Sequence, residues 1–245
     1  MSTAYAIGIL LLAYIAGSIP TGYWVVKSLK GIDIRTIGSG STGATNVLRA
    51  AGKGAGIFVL VFDVIKGYIP VALAAYLEQS LWSTLPFYYP HLIPTLVAII
   101  CIVGHSKSIF LGFSGGKSAA TTLGTLYGLN PMAASLTFGW WIAVVFASKI
   151  VSLASITAAI ACPAFMYFCG APPAVLVFSL VACVYVVVRH KDNIKRLMAG
   201  TESKIGDKPK QPQTPSEEIS GTDAGTDPAS SNSGNLDQHG RKRSE

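Results

Sequence analysis

Charge is what this sequence has least of: 13% of its 245 residues are Asp, Glu, Lys or Arg, whereas 51% are hydrophobic. A water-soluble domain of this length carries roughly twice that share of charge, so the composition calls for lipid as solvent. Cysteine is scarce as well. Cys101, Cys162, Cys169 and Cys183 all lie in apolar blocks, without metal-ligand spacing or a disulfide-like framework, and read as small core residues. Nor is a cleavable leader expected. Residues 4–26 lack a basic start, are long enough to span, and end in Ser18-Ile19-Pro20 rather than a small-x-small site, so they read as a retained helix.

What is present is a series of apolar blocks separated by short basic or glycine-rich stretches. Each block approaches the roughly 20 residues that a helix needs to cross a bilayer core. The net charge of +7 comes from Lys and Arg between the blocks, which is the pattern of cytoplasmic loops, and nucleic acid is a poor second reading of it. Residues 27–54 hold Lys27, Lys30, Arg35, Arg49 and Lys53 against one acid, Asp33, and are expected inside. Residues 55–77 then lead out and residues 91–104 return, so that Lys107 and Lys117 arrive inside. Four further spans are expected at residues 119–132, 136–147, 150–168 and 172–188, with Lys149 at the intervening inner turn. The two turns expected outside, at Asn130-Pro131 and Gly170-Ala171, carry no Lys or Arg.

The expected fold is therefore an all-α membrane protein of seven transmembrane helices, N-terminus outside and C-terminus cytoplasmic, occupying residues 1–206. The short pair at 119–132 and 136–147 also allows a re-entrant element, with five crossings as the alternative. From residue 207 to 245 Pro, Gly, Ser, Thr, Asp and Glu dominate and little apolar surface remains to bury, which predicts a disordered cytoplasmic tail.

Three constellations fall on the face expected inside. The first runs from Gly38-Ser39-Gly40-Ser41-Thr42-Gly43 to Ala44-Thr45-Asn46-Val47-Leu48-Arg49. Small residues let backbone N–H groups approach an anion, hydroxyls donate, and Arg49 offers a two-pronged charged grip. Gly38, Gly40 and Gly43 formally spell GxGxxG, yet no strand precedes them, so a dinucleotide site is not expected. A merely flexible glycine loop is the plain alternative.

The second constellation is Gly104-His105 followed by Gly112-Phe113-Ser114-Gly115-Gly116-Lys117-Ser118. Its spacing is one residue short of a Walker motif, but a glycine turn that opens a helix still presents free N–H groups and a dipole end to phosphate. Lys117 would add a point charge, or serve simply as a membrane-surface anchor. The third is Arg189-His190-Lys191-Asp192-Asn193, just after the last span. It suits a basic flank that meets lipid headgroups, while His190 and Asn193, three apart, share one helical face. Asp63 and Lys66 are also three apart, within a span, and are expected to form a structural ion pair. Ser152 and Ser155 lie on the same inner side. Together the three segments predict one phosphate-rich site at the cytoplasmic surface, open sideways to an apolar acyl chain. A small membrane anion transporter is the alternative reading.

At these places the sequence resembles the bacterial acyl-phosphate-dependent glycerol-3-phosphate acyltransferases of the small integral-membrane type. The likeness runs from about Tyr5 to Gly206 and includes Gly200-Thr201-Glu202. It implies a seven-helix fold in the bacterial inner membrane, no metal and no cofactor. It also implies transfer of an acyl group from acyl phosphate to the 1-hydroxyl of glycerol 3-phosphate, the donor being supplied by a soluble phosphate acyltransferase. Carried over by position, the functional residues are Ser39, Arg49, Lys117, Ser152, His190 and Asn193. Arg49 and Lys117 would neutralise the two phosphates. Ser39, His190 and Asn193 would orient the acceptor and support the developing oxyanion. Gly38, Gly40, Gly43, Thr45, Asn46, Gly115, Gly116 and Ser118 complete the expected phosphate-binding set, the glycines at 115 and 116 as backbone donors. The chain departs from the family at Ser41 (usually Asn), Lys107-Ser108 (Phe-Pro), Ser114 (Lys) and Ser118 (Gly). Serine can donate to phosphate at these sites, so the reaction class is expected to persist.

Overall fold

A computed structural model describes residues 2–85 and 88–207. Of the tail expected at 207–245, only Asp207 lies within the described residues. Among these the chain is helical throughout, and a single isolated bridge joins Ser108 to Ser114. Ten α-helices form in chain order: α1 Ser2–Ser18, α2 Thr21–Lys30, α3 Ala44–Ala51, α4 Lys53–Tyr76, α5 Leu92–Ser106, α6 Ala119–Leu129, α7 Pro131–Ser148, α8 Val151–Phe168, α9 Pro173–Arg189 and α10 Lys191–Met198.

Seven of these, α1 and α4 to α9, coincide with the seven apolar blocks. Length separates them. Four helical stretches are long and apolar enough to cross a membrane, Thr3–Lys30, Lys53–Tyr76, Pro131–Ser148 and Val151–Phe168, and α9 with α10, bent by 60°, makes a fifth. Helix α6, at 11 residues, rises only about 16 Å against a hydrocarbon core of about 30 Å. The chain is thus an all-helical membrane protein with four to five candidate spans.

The expected single span at residues 4–26 is interrupted at Ile19-Pro20, because proline has no N–H to donate and crowds the carbonyl one turn back. The freed carbonyls find other donors: Lys66 Nζ reaches Ile19 O at 2.7 Å and Ser108 Oγ reaches Ser18 O at 2.5 Å. The turn between α6 and α7 is Asn130 alone, whose side chain accepts from Ala133 N at 3.0 Å and caps α7 ahead of Pro131.

Close backbone approach sets the packing. A β-carbon on Gly124 of α6 would stand 2.0 Å from Val64 O of α4, and one on Gly67 of α4 would stand 2.3 Å from Thr121 O of α6. Small residues at such crossings let helices gain dispersion contact where lipid offers no hydrophobic drive. Gly17 and Gly104 do the same for α1 and α5, with Cys101 O and Tyr14 O as the neighbours. The main apolar core, including Val71, Val97, Met166, Val175 and Phe178, lies among α4, α5, α8 and α9, and Trp82 closes it by donating to Ala74 O at 2.9 Å. Because α6 begins at Ala119, directly after Lys117-Ser118, the α4–α6 crossing also fixes where that lysine enters.

Candidate active site

A cavity of about 180 Å³ opens among α3, α4, α6, α7, α8, α9 and the segment after α10. Its polar end, at the starts of α6 and α8 and the end of α9, carries Ser39, Thr45, Arg49, Lys117, Ser152 and His190, and the rest is mainly apolar, with Leu60, Leu123, Leu126, Phe138, Trp141 and Ala159 interspersed with Thr122, Thr137 and Ser179.

The polar end is organised around Glu202. Its Oε1 accepts from Asn193 Nδ2 and from Ser152 Oγ, each at 2.7 Å, and its Oε2 accepts from Arg196 Nε at 2.6 Å. Burial would push this carboxyl up, but the three donors outweigh it and bring it below its ordinary range. Asn193, with its amide nitrogen committed to Glu202, turns Oδ1 to accept from Lys117 Nζ at 2.5 Å. Lys117 is drawn down to about 8, first by burial and then by Arg196, with Glu202 and Asp192 opposing. It is therefore a cation at neutral pH that an incoming phosphate would stabilise. Arg49, on α3, donates from Nη2 to Ser203 O at 3.2 Å and so ties the segment after α10 to α3.

His190 occupies the bend between α9 and α10. Its Nδ1 lies 2.7 Å from Val186 O, and since a carbonyl only accepts, Nδ1 carries the proton and Nε2 is the ring's acceptor. Burial lowers this imidazole to about 4, against the opposing Val186 contact and with Lys117 adding to the shift, so it is neutral at physiological pH. A neutral imidazole can accept from a hydroxyl without adding charge.

A cationic, hydroxyl-lined pole joined to an apolar slot suits an amphiphile with an anionic head. The comparisons agree. The family model described as glycerol-3-phosphate acyltransferase matches residues 7–200. The chain belongs to the glycerol-3-phosphate acyltransferase family. The glycerol-3-phosphate acyltransferase of Nostoc sp. is 52% identical over 208 residues, covering 82% of this chain and 92% of that one. The one from Thermosynechococcus vestitus is 47% identical over 207 residues, covering 84% and 98%. Among solved structures, the glycerol 3-phosphate form of the integral membrane acyltransferase PlsY superposes with a TM-score of 0.74 at 38% identity, covering 82% of this chain and 96% of that one. Its lysophosphatidic acid form gives 0.72 at 37%.

With that family in view, the expected site residues divide in two. Ser39, Gly43, Thr45, Asn46, Arg49, Lys117, Ser118, Ser152, His190 and Asn193 all line the cavity, whereas Gly38, Gly40, Gly115 and Gly116 do not. Several roles change. Gly116 is not a free donor, because its N–H is spent on His105 O at 3.2 Å. Asn46 is a brace: its Nδ2 donates to Ile34 O, Ile37 O and Ser41 O at 2.9 to 3.3 Å, pinning the loop that presents Ser39. Gly38 serves the same loop, with φ of +57° and a β-carbon position only 2.5 Å from Asn46 Oδ1.

The serines that depart from the family pattern are also engaged internally. Ser118 adopts φ of 66°, a left-handed conformation that explains the glycine usual there, and its hydroxyl donates to Ile102 O at 2.9 Å rather than into the site. Ser114 Oγ donates to Leu111 O at 2.7 Å. Ser41 lines the cavity as Ser118 does, with its oxygen accepting from Gly43 N at 3.3 Å. The residue that sequence reasoning passed over is Glu202. It stood in a recognised motif, but its task is visible only once two helices, α8 and α10, bring Ser152, Asn193 and Arg196 to it.

Asp63 and Lys66 form the expected ion pair at 2.7 Å. No group of three or more His, Cys, Asp or Glu able to hold a metal exists among the described residues.

Proposed function

We propose that this acyltransferase moves a fatty acyl group from acyl phosphate to the 1-hydroxyl of glycerol 3-phosphate, at a site facing the cytoplasm. What carries the reading is the juxtaposition of Lys117 and Arg49 with an apolar slot in one cavity. The two cations neutralise the phosphates of donor and acceptor, and the slot takes the acyl chain. Ser39 and Asn193 orient the acceptor, with Asn193 and Ser152 held by Glu202.

In the transfer, the acceptor oxygen bonds to the acyl carbon and the bond from that carbon to the phosphate oxygen breaks. The products are 1-acylglycerol 3-phosphate and inorganic phosphate. Acyl phosphate is a mixed anhydride with a good leaving group, so positioning and charge stabilisation suffice and no acyl-enzyme forms. The hydroxyl proton passes to a substrate phosphate oxygen, a base with a second pKa of about 6. His190 orients the hydroxyl from its unprotonated Nε2. A soluble phosphate acyltransferase supplies the donor.

The same reading takes the seven apolar helices as seven crossings, with the N-terminus outside, the C-terminus inside and the site at the inner face of a bacterial inner membrane. The bilayer is both solvent and route for the product. The test of function is phosphate release from acyl phosphate by purified protein. Release should require glycerol 3-phosphate and be matched by lysophosphatidic acid formed. Release without acceptor, or anion flux across vesicles without product, would discard the reading.

A further inference from the structure

Behind the glycine turn that carries Lys117 lies a buried cluster that the chemistry above does not use. Asp63 and Lys66 of α4 are paired at 2.7 Å, and Lys66 is anchored on Ile19 O. His105, in the last turn of α5, places Nδ1 3.1 Å from Thr121 Oγ1 on α6 and 3.8 Å from Asp63 Oδ1. The far edge of its ring fills the space beside Gly116: a β-carbon there would stand 2.1 Å from Nε2 and about 3 Å from both adjoining ring carbons. The His105 carbonyl accepts the Gly116 N–H, and a β-carbon on Gly115 would stand 2.2 Å from that same oxygen. From the other side, Arg189 Nη2 donates to Gly116 O at 3.0 Å. Backbone and ring of one histidine thus shape the two residues that precede Lys117.

We propose that His105 is a positioning residue, which holds the Gly115-Gly116 turn so that Lys117 meets Asn193 and the substrate phosphate, and which Thr121 and the Asp63–Lys66 pair hold in turn. The proposal rests on the role given to Lys117 above. Glycine is required at 116 because the imidazole stands where a side chain would go. His105 also reaches the cavity wall, so direct contact with substrate is the competing role.

A double-mutant cycle on the full chain in detergent separates these. Acyl phosphate and glycerol 3-phosphate are varied in turn for His105→Ala, Lys117→Ala and the double variant. His105→Ala should raise KM for the same phosphate substrate that Lys117→Ala affects, by about tenfold, and the double variant should stay within about threefold of Lys117→Ala alone. Defects that multiply would overturn the positioning role while leaving that of Lys117 intact. A nearly normal Lys117→Ala would overturn both. Gly116→Ala should be nearly inactive beside His105 and recover about tenfold or more when combined with His105→Ala, since the ring it strikes is then gone. No recovery would count against the proposal. Should His105→Ala fail to fold, Thr121→Val removes the hydroxyl partner of the ring at closely similar shape and takes its place in the cycle with Lys117→Ala.

Discussion

At the scale of single residues, Lys117 and His190 make opposite use of burial. Burial draws the lysine down to about 8, so it is charged below that pH and neutral above it. The grip on an anionic substrate is therefore present at neutral pH and lost as pH rises through about 8. A kcat/KM profile should show this alkaline limb, and Lys117→Arg should remove it, because a guanidinium stays protonated. Lys117→Ala and Arg49→Ala should each lower kcat/KM by about 100-fold or more, roughly 3 kcal/mol of transition-state stabilisation. Near-normal activity in either would return that side chain to a membrane-surface anchor.

His190, held at about 4, is neutral across the working range and has no ionisation to contribute between pH 6 and 8. An acid limb near pH 6 then belongs to substrate phosphate. His190→Gln should be slower yet keep that limb. A flat residual profile would make the histidine the base instead.

Among the elements, α4 and α6 matter most, since their crossing sets the start of α6 and with it Lys117. Gly124→Leu should force the two backbones apart, lower the thermal stability of detergent-solubilised protein by about 2 kcal/mol or more, and abolish activity. Gly139→Leu on α7, where nothing lies within 4 Å of an added β-carbon, is the matched control and should leave both unchanged. Equal tolerance of the two would mean that the crossing is looser than the close approach of Gly124 to Val64 O implies. The 11 residues of α6 also show why its expected extent, 119–132, was too long: Asn130 and Pro131 end one helix and begin the next. The turn expected at Asn130-Pro131 is there, but hydropathy blurs which residues close each helix, because those on both sides are apolar.

For the whole molecule, the proposed orientation rests on the basic loops and is open to direct labelling. Cysteines introduced at Ser80 and Lys204, both exposed, should react with an impermeant thiol reagent from outside and from inside respectively. Labelling of position 204 from outside would invert the arrangement. Truncation after Gly206 should leave acyl transfer largely intact, as the cavity-lining residues among those described all precede it.

Much was legible in the residues themselves. The scarcity of charge demanded lipid, and the apolar blocks marked where helices form. The three motifs supplied nine of the fourteen expected site residues to one cavity, and Ser152 of α8 supplied a tenth. These are local properties, set by hydration and by the length of a helix, and each can be read from a short window. What only the tertiary structure decided was which polar groups are spent inward. Asn46, Ser118 and the Gly116 N–H all serve internal partners, and Glu202 gathers Ser152, Asn193 and Arg196. A hydrogen bond between residues 50 positions apart leaves no trace in spacing. It follows from burial, which obliges each polar group to find whichever partner the packing of the helices brings within reach.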